Sequence, residues 1–441
     1  MKALLILPLL MVLLSCNKFN YKRIFSDPQI YSNTVHELNN VVMGNNFTPV
    51  VASRNYAYAN IAAYEIIAAS DTNHYRSLAG QLNGLLTTPK PIKGKDINFG
   101  YAAVLAFCKV GESVTFPAGS MKTYTDSLHN VAIASGMPSA TIKDSEAFAS
   151  TMALAIMEWS KTDNYQRTRN AVKYTVKDTD GRWVPTPPSY ADAVEPHWKE
   201  IRPMVMTDAS QYRVLPPPAF NIKDTTSTYY HEVTLIKNTV SRLTVEQANI
   251  ADFWDDNPGR LNQSGHFSFV SKKFSPPGHW MSITGIGAKK IHADFNLTVC
   301  AYTKTAIALF DAFIECWAAK YQYNTARPET VINRYLDVSW RPHLQTPPFP
   351  EYTCGHCVIS AAAAETLSSV YGDNIAYQDT SELEFGIGVR KFTSFRQAAS
   401  ETALSRFYGG IHFLNSCRVS AACGKQLGTS IVSRLEMKIN K

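Results

Sequence analysis

The chain has 441 residues, of which 45% are hydrophobic, 11% aromatic and 18% charged. This composition excludes a disordered, collagen-like or low-complexity protein, because it supplies enough apolar surface for a large core. Lys and Arg exceed Asp and Glu by 43 to 36, a formal net charge of +7. The excess is spread along the chain without a basic run, so we predict no nucleic-acid partner.

The N-terminal segment predicts an export signal. Lys2 precedes an apolar run, residues 3–14, that is too short to span a membrane, and the small residue Ser15 stands before Cys16. The sequence Leu-Leu-Ser-Cys that ends at Cys16 resembles a bacterial lipobox, in which the cysteine is lipidated and becomes the mature N-terminus. An ordinary cleaved signal with an incidental cysteine is the alternative.

These features predict the organisation of the whole chain. We expect residues 1–15 to be a signal peptide of the lipoprotein type, and residues 16–441 to form one domain. No later run approaches the ~20 apolar residues of a membrane helix. The mature protein should therefore contact a membrane only through a lipid on Cys16, and lie in the bacterial cell envelope.

Most of the mature chain has the pattern of helices. Apolar residues recur at three- and four-residue spacing, with many alanines and few internal prolines. The predicted helices are 49–69, 97–111, 121–135, 141–161, 245–254, 278–293, 297–321, 356–371, 396–408 and 417–435. Residues 172–218 are instead dense in proline and aromatic residues, which predicts a long ordered excursion between two helical halves. The predicted fold class is all-α.

Eight cysteines occur in the sequence. Their spacing alone gives no disulfide connectivity, although an exported protein can form disulfides. For Cys108, Cys300 and Cys316 we expect buried, small apolar side chains within helices.

Two cations lie at and just beyond the C-terminal end of the predicted helix 297–321. Lys320 and Arg327 are seven residues apart, about two helical turns, so they share a face if the helix continues. Trp317 crowds the same face. Two cations on one face usually mark a solvated surface, and the alternative is an oxyanion site.

A second segment combines prolines, a glycine and a histidine. Prolines at 347, 348 and 350 prevent a helix until just before Gly355 and His356, where an Ala-rich helix is predicted to begin. Backbone N–H groups at such an N-terminus can hold an anion, and glycine allows close approach. His356 could transfer a proton there, or could simply cap or pack.

A third segment follows the helix predicted at 396–408. Arg406 lies on that helix, and Gly409 and Gly410 end it, so His412 can turn back toward Arg406. In isolation, a surface arginine and a core histidine would explain this segment equally well.

Together the three segments follow one order: Lys-x6-Arg-Pro, then Gly-His, then Ser-Arg-x3-Gly-x-His. This order and spacing resemble the signature of the superfamily of vanadium-dependent haloperoxidases and type 2 phosphatidic acid phosphatases. The matching residues are Lys320, Arg327, Pro328, Gly355, His356, Ser405, Arg406, Gly410 and His412. Trp317 and Phe349 also match aromatic residues that line the halide side in haloperoxidases.

The resemblance extends upstream and covers nearly the whole mature chain. Residues 52–58, Phe253-Trp254 and residues 276–280 look like the bacterial haloperoxidase-like branch. The resemblance implies a large helical fold of two packed bundles, with the catalytic motifs within residues 317–416.

In this family, cations and backbone donors hold an oxyanion. The resemblance implies that Lys320, Arg327 and Arg406 neutralise the oxygens of vanadate, the expected cofactor, with arginine supplying forked donors. The N–H of Gly355 would add a donor at the helix start. Cys354 occupies the preceding position, at which the family normally has a serine that bonds an oxo group.

The two histidines take the chemical roles. By resemblance, His412 is the metal ligand that bonds vanadium, and would attack phosphorus in a phosphatase. His356 would deprotonate hydrogen peroxide, or protonate a leaving alkoxide. The expected reaction is oxidation of a halide, foremost iodide, by hydrogen peroxide. An acid phosphatase reaction at the same residues is the alternative.

Two departures from the family pattern bear on activity. The thiol of Cys354 is larger than a hydroxyl, donates hydrogen bonds poorly and is open to oxidation. Cys357 is near enough in sequence to trap an oxidised Cys354 as a disulfide. Ser416 stands where the pattern usually has an aspartate, so a carboxylate near His412 is expected to be missing. These changes leave a non-catalytic member of the family as a further alternative.

The second segment also contains a motif that is typical of a different class of protein. Cys354 and Cys357 form a Cys-x-x-Cys sequence at a helix N-terminus, as in disulfide oxidoreductases. Thr353 stands where thioredoxin-like proteins usually have tryptophan, and no βαβ pattern surrounds the motif. An insulin-reduction assay would detect this activity.

Overall fold

A computed structural model describes residues 20–212, 214–258, 260–264, 267–271 and 273–439. These residues form fifteen α-helices, two small hairpins and irregular segments. The helices of the first half are α1 (Tyr21–Ile24), α2 (Pro28–Gly44), α3 (Pro49–Ser70), α4 (Phe99–Ser113), α5 (Lys122–Ala134), α6 (Ser139–Ser160) and α7 (Tyr165–Arg169). The predicted all-α class is confirmed.

The second half carries the remaining elements. Its helices are α8 (Thr228–Val240), α9 (Val245–Phe253), α10 (Pro276–Lys290), α11 (Phe295–Tyr323), α12 (Pro328–Tyr335), α13 (Gly355–Tyr371), α14 (Phe395–Tyr408) and α15 (Leu414–Arg434). Strands β1 (Arg260–Ser264) and β2 (Phe267–Ser271) form one antiparallel hairpin, and β3 (Tyr377–Asp379) and β4 (Arg390–Phe392) form another.

Helix α11 is the centre of the fold. It packs against α3 on one side and against α13 on the other, and thereby joins an N-terminal group of helices to a C-terminal group. By length and composition α11 could also cross a membrane, but 94% of its most apolar stretch is buried inside the protein. We therefore interpret α11 as the core helix that carries Lys320 at its C-terminal end.

Local sequence explains where several helices begin. The Thr48 side chain accepts a hydrogen bond from the N–H of Val51, and Pro49 occupies the first turn of α3. The Asp294 side chain caps α11 in the same way, by accepting from the N–H of Leu297. Such caps satisfy N–H groups that have no partner within the helix.

The ten predicted helices all occur, with ends that differ by a few residues. The helix of Lys320 does not continue to Arg327, so the condition under which the two cations would share a helical face is not met. Helix α11 ends at Tyr323 because Asn324 has a left-handed backbone, with φ 50°. Arg327 instead precedes Pro328, the first residue of α12. The sequence analysis did not find α1, α2, α7, α8, α12 or the two hairpins.

In residues 172–212 and 214–218, the described part of the excursion, there is one 3-10 turn, Trp198–Glu200, among irregular segments. Trp183 and Trp198 are fully buried, which anchors it to the helices. Cys108, Cys300 and Cys316 are free and buried, as predicted. The predicted signal peptide and Cys16 lie outside the described residues, so the lipid anchor and envelope location stay predictions.

Candidate active site

The three sequence segments meet at one place in the fold. They are the C-terminal end of α11 with the turn to α12, the proline-rich segment before α13, and the turn between α14 and α15. Lys320, Arg327 and Arg406 are all buried there, with exposed fractions of 0%, 0% and 1%. Buried cations require an anion or many hydrogen-bond acceptors, so this cluster favours an oxyanion site.

His412 has a defined tautomer. Arg327 Nη1 lies 3.0 Å from His412 Nε2, and an arginine can only donate, so Nε2 accepts that bond. His412 Nδ1 lies 2.9 Å from Glu351 Oε1 and therefore donates to the carboxylate. Burial, followed by the charges of Arg327 and Lys320, lowers the pKa of His412 well below its usual value. The imidazole is thus neutral, with a lone pair on the side of Arg327.

Arg327 retains a free donor. Its Nε donates to the Phe349 carbonyl at 2.8 Å, and Nη1 donates to the Ile411 carbonyl at 2.8 Å. Its buried Nη2 has no hydrogen-bond partner among the described residues. Burial lowers the pKa of Arg327 to about 10, so the side chain is charged at neutral pH. An unpaired, charged donor beside the lone pair of His412 is suited to an anion.

Lys320 is hydrogen-bonded to the backbone of the proline-rich segment. Its ammonium group donates to the carbonyls of Pro350 at 2.9 Å and Glu351 at 3.1 Å, and also to that of Thr353. These bonds use all three donors of an ammonium group. Burial lowers the pKa of Lys320, and the charge of Arg327 lowers it further. Lys320 would contribute positive charge to an oxyanion, but direct contact requires one carbonyl to release it.

Arg406 is held from two sides. Its Nε donates to the Ser405 hydroxyl at 3.1 Å, and its Nη2 donates to the Trp254 carbonyl. Ser405, which matched the family pattern, thus orients the guanidinium. Burial lowers the pKa of Arg406, an effect opposed by the charges of Asp255 and Asp256.

His356 faces a cavity of about 250 Å³ that Phe349 and Arg406 also line. The side chain is 17% exposed, and its Nε2 has no hydrogen-bond partner among the described residues. Burial, with the charge of Arg406 next in effect, lowers the pKa of His356 well below its usual value. His356 is therefore neutral at neutral pH and can accept a proton from a molecule in the cavity.

Cys354 and Cys357 are joined by a disulfide, with their Cα atoms 5.4 Å apart. In this form Cys354 has no S–H with which to donate to an oxyanion. Gly355 begins α13 as predicted. A Cβ at Gly355 would lie 3.5 Å from the Trp317 ring, and the absence of a side chain leaves the first turn of α13 open.

The two aromatic residues of the predicted halide side differ in position. Phe349 lines the cavity, and its ring lies 4.9 Å from both Lys320 Nζ and the Arg327 guanidinium carbon. Trp317 packs behind it, with ring centroids 5.0 Å apart, and donates to the Val194 carbonyl at 3.1 Å. Phe349 therefore packs against the two cations as well as lining the cavity, and Trp317 supports Phe349.

Comparison with known proteins agrees with this geometry. A family model described as the VCPO second helical-bundle domain matches residues 301–339 and 334–441. A solved bacterial vanadium-dependent iodoperoxidase is 44% identical, covers 94% of this chain and 98% of its own, and superposes with a TM-score of 0.88. The chain belongs to the vanadium haloperoxidase family.

More distant haloperoxidase structures share the fold. Holo and apo forms of a bacterial vanadium-dependent chloroperoxidase are each 16% identical to this chain and cover 88% of it. They cover 93% and 94% of their own chains, with TM-scores of 0.61 and 0.63. No curated protein sequence matches the chain significantly.

Glu351 is the residue of this haloperoxidase site that the sequence analysis missed. The expectation that a carboxylate near His412 is missing, because Ser416 replaces an aspartate, is therefore wrong. Glu351 accepts from His412 Nδ1 and also from the N–H of Phe413 at 3.2 Å. Ser416 is buried next to it. The only sequence signal for Glu351 was that a single acidic residue stands within the proline-rich segment.

We predict that Glu351→Gln weakens vanadate binding by ~10–100-fold, the usual loss when the partner of a ligand histidine is removed. An amide can donate to Nδ1 and so favour the tautomer that protonates Nε2. The vanadate dissociation constant should rise while kcat at saturating vanadate changes little. An unchanged dissociation constant would show that Glu351 does not position His412.

Proposed function

We propose that the protein oxidises iodide with hydrogen peroxide, using vanadate as its cofactor. The single observation that carries the proposal is the neutral His412 in a buried cluster of cations. Its Nε2 accepts a hydrogen bond from Arg327 Nη1, which must release it when a cofactor binds there, and the unpaired Nη2 of the same guanidinium lies beside it. Membership of the haloperoxidase family and the likeness to an iodoperoxidase support the same assignment.

The residues of the pocket fit vanadate. Vanadate is a tetrahedral oxyanion, and Lys320, Arg327 and Arg406 supply positive charge that can compensate it. A neutral imidazole is the form that can coordinate a metal centre. When bound, vanadate supplies an electrophilic centre that activates hydrogen peroxide toward halide.

Each side chain then has a defined task. His412 would hold the cofactor through Nε2, and Glu351 would keep the proton on Nδ1. Arg327 would neutralise oxygen charge through its free Nη2, with Arg406 contributing charge from the cavity wall. His356 would accept the proton that hydrogen peroxide loses, since its Nε2 is unpaired and its pKa is lowered.

The cavity wall supports iodide as the halide. Pro347, Pro348, Phe349 and Ile411 contribute apolar surface next to His356. Iodide is the most weakly hydrated of the common halides and the easiest to oxidise. Contact with this apolar wall therefore costs iodide less hydration free energy than it would cost bromide or chloride.

The proposal is tested by initial rates measured with and without vanadate on iodide, bromide and a generic phosphate ester. We expect peroxide-driven halide oxidation only with vanadate, and faster turnover of iodide than of bromide at matched concentration. Equal or faster bromide turnover would overturn the iodide preference. Ester hydrolysis without vanadate, and no halide oxidation, would identify a phosphatase. Inactivity in every arm would identify a non-catalytic member of the family.

We predict that Cys354→Ser raises vanadate-dependent iodide oxidation above that of the untreated wild type. The disulfide leaves Cys354 without a donor, whereas a hydroxyl at the start of α13 can donate to an oxygen of the cofactor. Rates of both proteins are compared with and without reductant, and only the wild type should respond to it. Equal rates in all four conditions would mean that the sulfur chemistry has no influence, and Ser416 would be examined next.

A further inference from the structure

Next to the vanadate pocket lies a second buried cluster, which the proposed function does not use. His279, on α10, has an exposed fraction of 0%. Asp256 follows α9, and Asp379 and Glu382 come from the segment around β3; their exposed fractions are 2%, 0% and 1%. Three carboxylates and one imidazole are thus shielded from water, an arrangement that is costly unless a cation compensates the charge.

The imidazole is fixed on both sides. His279 Nδ1 lies 2.9 Å from Asp256 Oδ1, and Nε2 lies 3.0 Å from Asp379 Oδ2. The Trp254 ring stacks on the imidazole, with centroids 4.7 Å apart and an interplanar angle of 25°. Carboxylates only accept hydrogen bonds, so both ring nitrogens donate and His279 is an imidazolium in this structure. A metal at Nδ1 would displace that proton, and the bond to Asp379 would then be the contact that a ligand histidine usually makes through its second ring N–H.

Glu382 distinguishes this cluster from a histidine that is simply clamped between two aspartates. Its Oε1 lies 3.8 Å from His279 Nδ1, too far for a hydrogen bond. Neither carboxylate oxygen of Glu382 has a hydrogen-bond partner among the described residues, and Asp256 Oδ2 has none either. Unpaired carboxylate oxygens at such depth indicate a missing ligand, since buried polar atoms are nearly always bonded.

The spacing of these atoms suits a metal ion. One ligand atom each from Asp256, His279 and Glu382 all lie within 4.8 Å of one another. Bonds of ~2.0–2.2 Å to a shared tetrahedral ion place neighbouring ligand atoms about 3.3–3.6 Å apart, which lies between the observed separations of 2.9 and 3.8 Å. One imidazole nitrogen with carboxylate oxygens is a donor set for zinc or manganese.

We propose that Asp256, His279 and Glu382 bind one divalent first-row transition-metal ion of the Zn²⁺ or Mn²⁺ type, with Asp379 orienting His279. The site adjoins the vanadate pocket, because Asp256 also lines the cavity that His356 faces and its Oδ2 lies 3.9 Å from Nε2 of His356. The ion would hold Asp256 in place beside His356, the histidine that accepts a proton. This proposal holds whether or not the protein oxidises iodide.

A second cluster of side chains could also bind a metal ion, and the experiment must exclude binding there. The sulfur atoms of Cys354, Cys357 and Cys417 lie within 4.8 Å of one another and could also bind zinc when reduced. The experiment therefore uses the full protein in its oxidised form, with Cys417→Ser in the background and without vanadate. Metal is removed with a chelator, and Zn²⁺ or Mn²⁺ is then titrated by calorimetry.

We expect one equivalent of Zn²⁺ or Mn²⁺ per chain, and a higher melting temperature in its presence. Glu382→Gln, which removes one ligand charge with little change of volume, should weaken binding at least tenfold. The matched control is Glu384→Gln, an exposed residue in the same short 3-10 segment, Ser381–Phe385. It should bind as the parent does.

Absence of metal binding in the parent, or equal affinities of the two variants, would overturn the proposal. Should Glu382→Gln fail to fold, the absorption spectrum of the parent loaded with Co²⁺ decides. Bands of a nitrogen- and oxygen-ligated ion support the site, and intense thiolate-to-cobalt charge transfer places the metal on cysteine and overturns it.

Discussion

Replacing His412 by alanine should abolish vanadate-dependent iodide oxidation. Its Nε2 is the one neutral nitrogen that Arg327 and Glu351 together hold in an accepting state within the pocket. Losing the ligand itself should exceed the ~10–100-fold cost of losing a partner of such a ligand. The measurement is the initial rate at saturating peroxide and iodide over a range of vanadate concentrations.

The matched control for this variant is His231→Ala, which removes an exposed imidazole on α8. It should retain the wild-type rate and vanadate affinity. His412→Ala should also keep the far-UV circular dichroism spectrum of the wild type. If His412→Ala binds vanadate as tightly as the wild type, His412 is not the ligand.

His356→Gln should lower kcat by ~10²–10⁴-fold, the usual contribution of a positioned acid or base. The vanadate dissociation constant should change only a few-fold, because Nε2 of His356 has no hydrogen bond to the other described residues of the pocket. Steady-state kinetics with independent vanadate titrations separate the two effects. Equal losses in affinity and kcat would place His356 among the groups that hold the cofactor.

His356 should also determine how the rate of iodide oxidation falls at low pH. The pKa of His356 is lowered from its usual value of 6.5 by burial and then by the charge of Arg406. A base must be unprotonated to act, so the rate should fall only when the pH drops below 6.5. His356→Gln should lose this acid limb. An acid limb that persists unchanged in His356→Gln would contradict the assignment.

The chemistry of the vanadate pocket was largely predictable because its residues are conspicuous in sequence. Lys320, Arg327, Arg406 and His412 stand at fixed spacings beside prolines and glycines that interrupt Ala-rich helices. Whether the helix of Lys320 continues to Arg327 was left open, because a single left-handed residue, Asn324, ends α11 without a glycine or proline to signal it.

Contacts made only by the folded chain were not predictable. Glu351 and His412 are 61 positions apart, and both lie in irregular segments without a periodic pattern. The cluster around His279 unites Asp256 and Asp379 from positions 23 and 100 residues away. A sequence shows that each side chain can ionise, but only the packing of the helices shows which carboxylate reaches which imidazole.

Helices were missed where local composition argued against them. Helix α2 (Pro28–Gly44) contains several asparagines, and α8 (Thr228–Val240) is rich in β-branched and aromatic residues. Both compositions have low intrinsic helix propensity. Helix α2 nevertheless packs on α10, and burial of its apolar face outweighs that propensity.

The most direct test of the vanadate site is calorimetric titration of vanadate into vanadate-free protein, alone and with increasing phosphate. Both oxyanions should compete for the pocket formed by Arg327, Arg406 and His412. The result predicted here is one vanadate per chain, with an apparent dissociation constant that rises in proportion to phosphate. Absence of binding, or binding that phosphate does not affect, would contradict the assignment of this pocket as the cofactor site.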